Sequence, residues 1–363
     1  MAGNTRISRT ALRADVLLLL TAAIWGFGFV AQRSGMEFVG PFAFNGIRFI
    51  LGSLSLLPLI LFKRGRLIRS GYSPLPFRRL FLSCLLVGGC LFIAVLFQQF
   101  GIIFTTAGNA GFITGLYVVF TPVAGIFLGR KTGLPTWIGS VLTLAGLYFI
   151  SVTGSSGSVN PGDIIVVISA FFWTAHVLLI DRLMNKSGIE NKKSENNAEP
   201  QPIQTGEGES APINPLELSA GQFAVCGILS LICAFSVEPF VIPAVERIDP
   251  SLLNAGLFAW LPFPALVSAV ADGSVSFPVD AVIPILYGGL ASVGIAYTLQ
   301  VVAQRDAPPA HATIILCFEG CFAALGGALL LGEKAGVWTL LGFVLMLAGM
   351  LATQWSVILK GKN

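Results

Sequence analysis

The sequence predicts an all-α integral membrane protein of ten transmembrane helices, arranged as two inverted five-helix repeats. Three observations predict it. Of 363 residues, 55% are hydrophobic and only 11% are charged, against about 25% charged in a soluble domain. In water so few charges would leave large apolar patches exposed, which soluble monomers avoid. The chain also divides into apolar runs of about 20 residues, the length that crosses a hydrocarbon core about 30 Å thick. Finally, residues of the first half recur in order in the second.

Taken in order, the runs lie at 14–32, 41–62, 80–100, 107–128, 134–153, 163–182, 215–236, 281–303, 309–331 and 336–357. Each is bounded by charges, Pro or Gly. The first, from Ala14, is not followed by a small-residue cleavage site and reads as a retained helix. Residues 183–214, rich in Asn, Glu, Lys, Ser and Pro, bury too little apolar area to order themselves and read as a polar linker. The stretch 240–280 is partly apolar but broken by Pro262 and Pro264. Its unbroken part is too short to span, so it reads as an extracytoplasmic insertion, interfacial or re-entrant.

Basic residues set the orientation. With ten spans and the N-terminus inside, all of the 22 Lys and Arg except Arg33, Arg48, Arg247 and Lys334 fall on the cytoplasmic side. Cytoplasmic loops carry such an excess, so both termini are expected to be cytoplasmic. An eleventh span near Trp260 would move Arg305, Lys360 and Lys362 outside, against the bias.

Internal repetition divides the chain further. Gly129, Lys131, Gly133, Gly139, Leu144, Ala145 and Gly146 recur with the same spacing as Gly332, Lys334, Gly336, Gly342, Leu347, Ala348 and Gly349. Gln98 pairs with Gln300 and Ala110 with Ala312; earlier, Asp15, Ala22 and Trp25 pair with Asp163, Ala170 and Trp173. The expected units are therefore 14–153 and 154–357. An odd number of helices per unit sends the second copy in from the opposite side, an arrangement that recurs in secondary transporters with a midplane site between the halves.

Several function classes are disfavoured. The six cysteines lie in apolar runs without a CxxC pair, and the two histidines, His176 and His311, are too few for a His-rich metal site. The glycines of 206–210 lack the GK[ST] of a phosphate loop. No nucleophile, paired-carboxylate or metal-ligand set stands at useful spacing, so neither an enzyme nor a cofactor is expected. The net charge of +4 bears on membrane orientation and not on nucleic acid.

The stretch Ala296–Lys334, AYTLQVVAQRDAPPAHATIILCFEGCFAALGGALLLGEK, runs through an aromatic and glutamine helix, a Pro-containing turn and a small-residue helix with a Glu, to an LGE ending. With the Trp-Gly-Phe start at Ile24–Phe29 and Arg48 within Gly46–Phe49, it resembles the drug/metabolite transporter superfamily, EamA type. The likeness covers nearly the whole chain apart from the linker and the insertion. One departure is that Gly320 follows Glu319 where family members usually have Pro, which implies a less kinked backbone there. The resemblance implies two EamA units, ten helices and transport, commonly export, of small metabolites.

Arg48 and Glu319 are the charged side chains clearly inside spans. Each costs roughly 2.5–3.5 kcal/mol at a helix centre, so each should face a cavity or a partner. Glu319 lies about 16 Å into its helix, near the midplane. Packing against a neighbouring helix is the competing reading for Glu319, and snorkelling to the interface for Arg48. Trp25 and Trp173 occupy equivalent places and could wall a cavity or simply pack. Gln98, Gln300, Tyr117 and Tyr297 add hydrogen-bonding groups to the candidate pathway. Asn109 and His311 are repeat-equivalent at opposite faces, where a lone His more often caps or packs. The expected function is a secondary transporter, exporting small organic metabolites or drugs by alternating access in the inner cell membrane. The expected partners are a small-molecule substrate, membrane lipid and protons as coupling ion, in a monomer or homodimer. A lipid-linked flippase, a passive facilitator and a non-transporting scaffold are the alternatives.

Overall fold

A computed structural model of the chain describes residues 9–36, 39–69, 76–104, 107–129, 132–152, 161–195, 213–240, 279–330 and 336–360. The helices are α1 (Arg9–Gly35), α2 (Pro41–Arg69), α3 (Phe77–Phe104), α4 (Ala107–Thr114), α5 (Tyr117–Phe127), α6 (Leu134–Val152), α7 (Pro161–Glu195), α8 (Pro215–Ser236), α9 (Val282–Ala303), α10 (Pro309–Leu316), α11 (Phe318–Leu330) and α12 (Val337–Lys360). Prolines open α2, α7, α8 and α10, where the missing N–H has no intrahelical partner to lose. At α8 the Leu216 N–H also donates to Asn214 Oδ1 at 3.0 Å, a side-chain cap.

The expected ten transmembrane helices are not what the structure contains. Among the described residues, seven helices are long and apolar enough to cross a membrane: Thr10–Gly35, Pro41–Lys63, Phe77–Phe104, Pro161–Met184, Pro215–Ser236, Val282–Ala303 and Pro309–Leu330. With seven in place of ten, the ten-helix count of the two inverted five-helix repeats falls too. The apolar run 107–128 fails because its helix breaks between α4 and α5. There Leu116 N–H donates to the Ile113 carbonyl and Val118 N–H to that of Gly115, one residue tighter than an α-helix. At 1.5 Å per residue, α5 alone is about 16 Å long. The apolar parts of α6 and α12, Leu134–Phe149 and Leu340–Ala352, are likewise short. An apolar run records composition, whereas spanning depends on the length of helix the run forms. The polar stretch 183–214 is helical as far as Glu195, at the end of α7, and 196–212 lies outside the described residues. So does 241–278, nearly all of the expected insertion.

Packing is reciprocal along the chain. α6 packs on α12, and α2 on α8; α3 lies against α7 and α8, as α9 lies against α1 and α2. α1 packs on α11 as α7 packs on α4 and α5. Small residues set the closest approaches. A Cβ on Gly146 would come within 2.6 Å of the Gly342 carbonyl, and one on Gly349 within 2.7 Å of the Gly139 carbonyl. These are the same glycines that the sequence repetition pairs. Gly129, at φ 72°, ends α5 in the left-handed conformation that favours glycine.

Polarity is distributed as lipid demands. Phe77, Phe127, Ile283 and Val337 are exposed, whereas Gln99, His176, Gln222 and Gln304 are fully buried. Large apolar side chains face outward and polar ones inward, which suits hydrocarbon as the surrounding solvent.

Candidate functional site

Two broken helices meet at the centre. Cys317 interrupts the run between α10 and α11, as Gly115 and Leu116 interrupt the one between α4 and α5. Absence of a proline after Glu319 thus does not leave this helix continuous. Gly320 N–H donates to the Cys317 carbonyl, a tight turn that takes the place of a proline kink. The two breaks touch: Cys317 Sγ donates to the Gly115 carbonyl at 3.4 Å. Beside them the Tyr117 hydroxyl donates to Glu319 Oε1 at 3.1 Å. Both contacts join residues 202 apart, the offset that also relates Gln98 to Gln300.

Glu319 stands in the first turn of α11 and is only 4% exposed. Unsatisfied N–H groups at a helix start favour a carboxylate there. Arg48 is buried as deeply, at 2% exposed. Its Nε donates to Asn45 Oδ1 at 2.9 Å, and its guanidinium lies 5.0 Å from the Phe49 ring centre and 5.5 Å from that of Phe44. Gly288 makes room for it, since a Cβ there would sit 3.3 Å from Arg48 Cδ. Arg48 is therefore held inside the bundle and does not snorkel.

Both charges line one narrow cavity with a volume of about 30 Å³, room for about two waters. An aromatic group forms its middle. Trp25 lies 4.5 Å from Tyr297 and 6.3 Å from Trp173, and Trp173 stacks on Tyr297 at 6.0 Å and 20°. The Trp25 indole donates to the Ser292 carbonyl at 3.2 Å, and the Thr21 hydroxyl reaches the Ala296 carbonyl at 3.2 Å. Both acceptors belong to Tyr287–Tyr297, where α9 winds as a π-helix, a form found frequently at functional sites. Gln98 lines the cavity with its amide donating to Thr114 Oγ1 at 3.1 Å, and Gln300 lines it too.

The structure thus brings together Glu319, Arg48, Trp25, Trp173, Gln98, Gln300, Tyr117 and Tyr297. His311 lies elsewhere. Its Nε2 is 2.7 Å from Asp15 Oδ1, tying the start of α10 to α1. Asn109 is on α4, outside the residues whose side chains are described. Gln32, Thr114 and Ser292 also line the cavity and were missed by the sequence reading. The repetition could have drawn attention to Thr114, which precedes the first break as Leu316 precedes the second. Among the described residues no group of three or more His, Cys, Asp or Glu could hold a metal ion.

Residues 12–152 and 244–354 match the EamA-like transporter family. An uncharacterized transporter of Archaeoglobus fulgidus is 34% identical over 175 residues, 47% of this chain and 49% of that protein. The chain therefore spans about half the length of that relative. A second uncharacterized transporter from the same organism is 23% identical over 346 residues, covering 94% of this chain and 97% of its own. The uncharacterized inner membrane transporter YedA of Escherichia coli is 27% identical over 157 residues, 41% of this chain and 47% of that protein. A solved crystal structure shares the fold, with a TM-score of 0.64 at 13% identity over 94% of this chain and 96% of that one. By the family match, which covers most of its length, the chain belongs to the EamA-like transporter family.

Proposed function

We propose that the protein is a secondary transporter that exports small organic metabolites or drugs by alternating access between two repeat units, 14–153 and 154–357. The observation that carries this reading is the narrow cavity beside the two helix breaks, walled by Trp25, Trp173 and Tyr297 and bearing Arg48 and Glu319. An unpaired charge inside a bundle is costly unless it serves a pathway or a ligand. A cavity of about 30 Å³ holds no organic solute, so the units must part to load it. Reciprocal packing of the helices supports such a movement, because each unit presents equivalent faces to the other.

Protons are the proposed coupling ion, with Glu319 as the titrating group, and the working assembly is a monomer or homodimer. Both termini are placed on the cytoplasmic side on the strength of the basic residues. The test is solute flux in reconstituted vesicles, using candidates chosen by resistance to toxic metabolites on overexpression. Flux driven by a pH gradient, and lost in Glu319→Gln, is the expected result. Vesicles that pass every such solute no faster than protein-free ones would overturn the reading.

A further inference from the structure

Beyond the cavity, toward the C-terminal ends of α7 and α9, lies a second set of polar side chains. His176 Nε2 is 2.9 Å from Gln222 Oε1, and the ring stands edge-on to Trp173 at 5.8 Å and to Tyr297 at 6.4 Å. Gln304 Nε2 donates to the Val177 carbonyl at 3.5 Å, one residue along α7. Trp173, Val177, Tyr297 and Gln300 all line the cavity, so this set adjoins it directly. Ser219, one turn before Gln222 on α8, is buried with it.

Their hydrogen bonding is incomplete. His176 Nδ1, Gln222 Nε2, Ser219 Oγ, Gln300 Oε1 and Gln304 Oε1 have no hydrogen-bond partner among the described residues. Each of these residues is at most 1% exposed. With His176 donating to Gln222 from Nε2, its Nδ1 is left as an acceptor. Donors and acceptors are thus mixed, and none of the five side chains need carry charge. Buried polar groups in this number are normally satisfied, by protein or by water. The same three helices also contribute Ile180, Met184, Leu218 and Val301 to one buried apolar cluster.

The position also has a counterpart. Gln222 follows Pro215 at the same interval as Arg48 follows Pro41, and the next residues, Phe223 and Phe49, both meet Tyr297, at 5.7 and 5.9 Å. Arg48 and Gln222 therefore stand at equivalent places on equivalent helices, one charged and one neutral.

We infer that His176, Gln222, Ser219, Gln300 and Gln304 form a hydrated branch of the cavity, a station for uncharged hydrogen-bonding groups that is occupied by water between solutes. Its hydration stands independently of transport; its use as the onward route rests on the proposed function.

The test uses the full-length protein with its six native cysteines replaced. Ser219→Cys and Gln304→Cys are exposed to a small hydrophilic methanethiosulfonate and compared with Ala234→Cys, which is buried among apolar side chains on α8. Reaction at the first two should be about tenfold or more faster than at Ala234→Cys, since thiol reactivity follows exposure. Adding His176→Phe should seal the branch, slowing Gln304→Cys while Gln98→Cys on the Arg48 side reacts as before. Rates at Ser219→Cys and Gln304→Cys no faster than at Ala234→Cys would overturn the inference. If a variant does not fold, an experimental structure of the unaltered protein decides: ordered water at His176 Nδ1 and Gln222 Nε2 upholds the branch, and direct protein contacts there refute it. Vesicle flux of the unaltered protein is read separately, so failure of the branch is distinct from failure of the transport proposal.

Discussion

Glu319 and Tyr117 share a hydrogen bond across the point where the two broken helices meet. A hydrogen bond to a charged group is worth about 1.5–3 kcal/mol, so its loss corresponds to roughly a ten- to hundredfold change in an equilibrium it controls. Glu319→Gln keeps the size but removes the titration, and is expected to abolish proton-driven flux while membrane levels hold. Tyr117→Phe leaves the carboxyl free to titrate, so coupled flux should persist at a reduced rate. Vesicle flux over roughly pH 3.5 to 8, a range that brackets carboxyl and imidazole titration, separates the two. Normal pH dependence in Glu319→Gln would leave the side chain as a packing group. That Glu319 needs a partner was legible from a carboxylate in an apolar run. That the partner is Tyr117, with Arg48 bound instead to Asn45, was not, because a side chain's neighbours depend on how helices distant in sequence dock.

At the level of helices, the α6–α12 contact depends on backbones that almost touch. Gly349→Leu would drive a side chain into the Gly139 carbonyl and Thr143. Overpacking of this kind costs about 1–3 kcal/mol, so a lower unfolding temperature in detergent is expected, with a similar loss for the repeat-equivalent Gly146→Leu. Equal stability of either variant would show that the contact gives way freely. Just beyond α8, Glu238 is buried against the start of α2, where a Cβ on Gly40 would fall on its carboxyl group. Burial pushes its pKa up to about 8, opposed by the Ala43 amide. An acid raised in the folded state contributes stability that is full below its ordinary value and is lost as pH rises through the folded one. Unfolding temperature should therefore fall between about pH 5 and 9, bracketing that shift, and Glu238→Gln should flatten the decline. An unchanged slope would mean that other groups carry it.

For the whole molecule, the open question is orientation. If the excess of basic residues sets the orientation as proposed, reporters fused to either end should be active only on the cytoplasmic side. Seven long helices alone would put the ends on opposite faces. A C-terminal reporter active outside would mean that α4 with α5, α6 and α12 do not together restore an even number of crossings.

The amino-acid sequence by itself determined that this chain is apolar enough for a membrane, is built of helices and sets Arg48 and Glu319 within apolar runs, and its motifs resemble the EamA-type transporters. The first three properties follow from composition, run length and spacing, which are local. Only the tertiary structure decided that seven helices are long enough to span, because the helix break at Gly115 and Leu116 and the short apolar parts of α6 and α12 depend on backbone geometry that an apolar count does not register. It alone brought Tyr297 between two tryptophans and sent His311 to Asp15. It also exposed the buried polar set around His176, whose members lie on three helices and become one group only when α7, α8 and α9 pack.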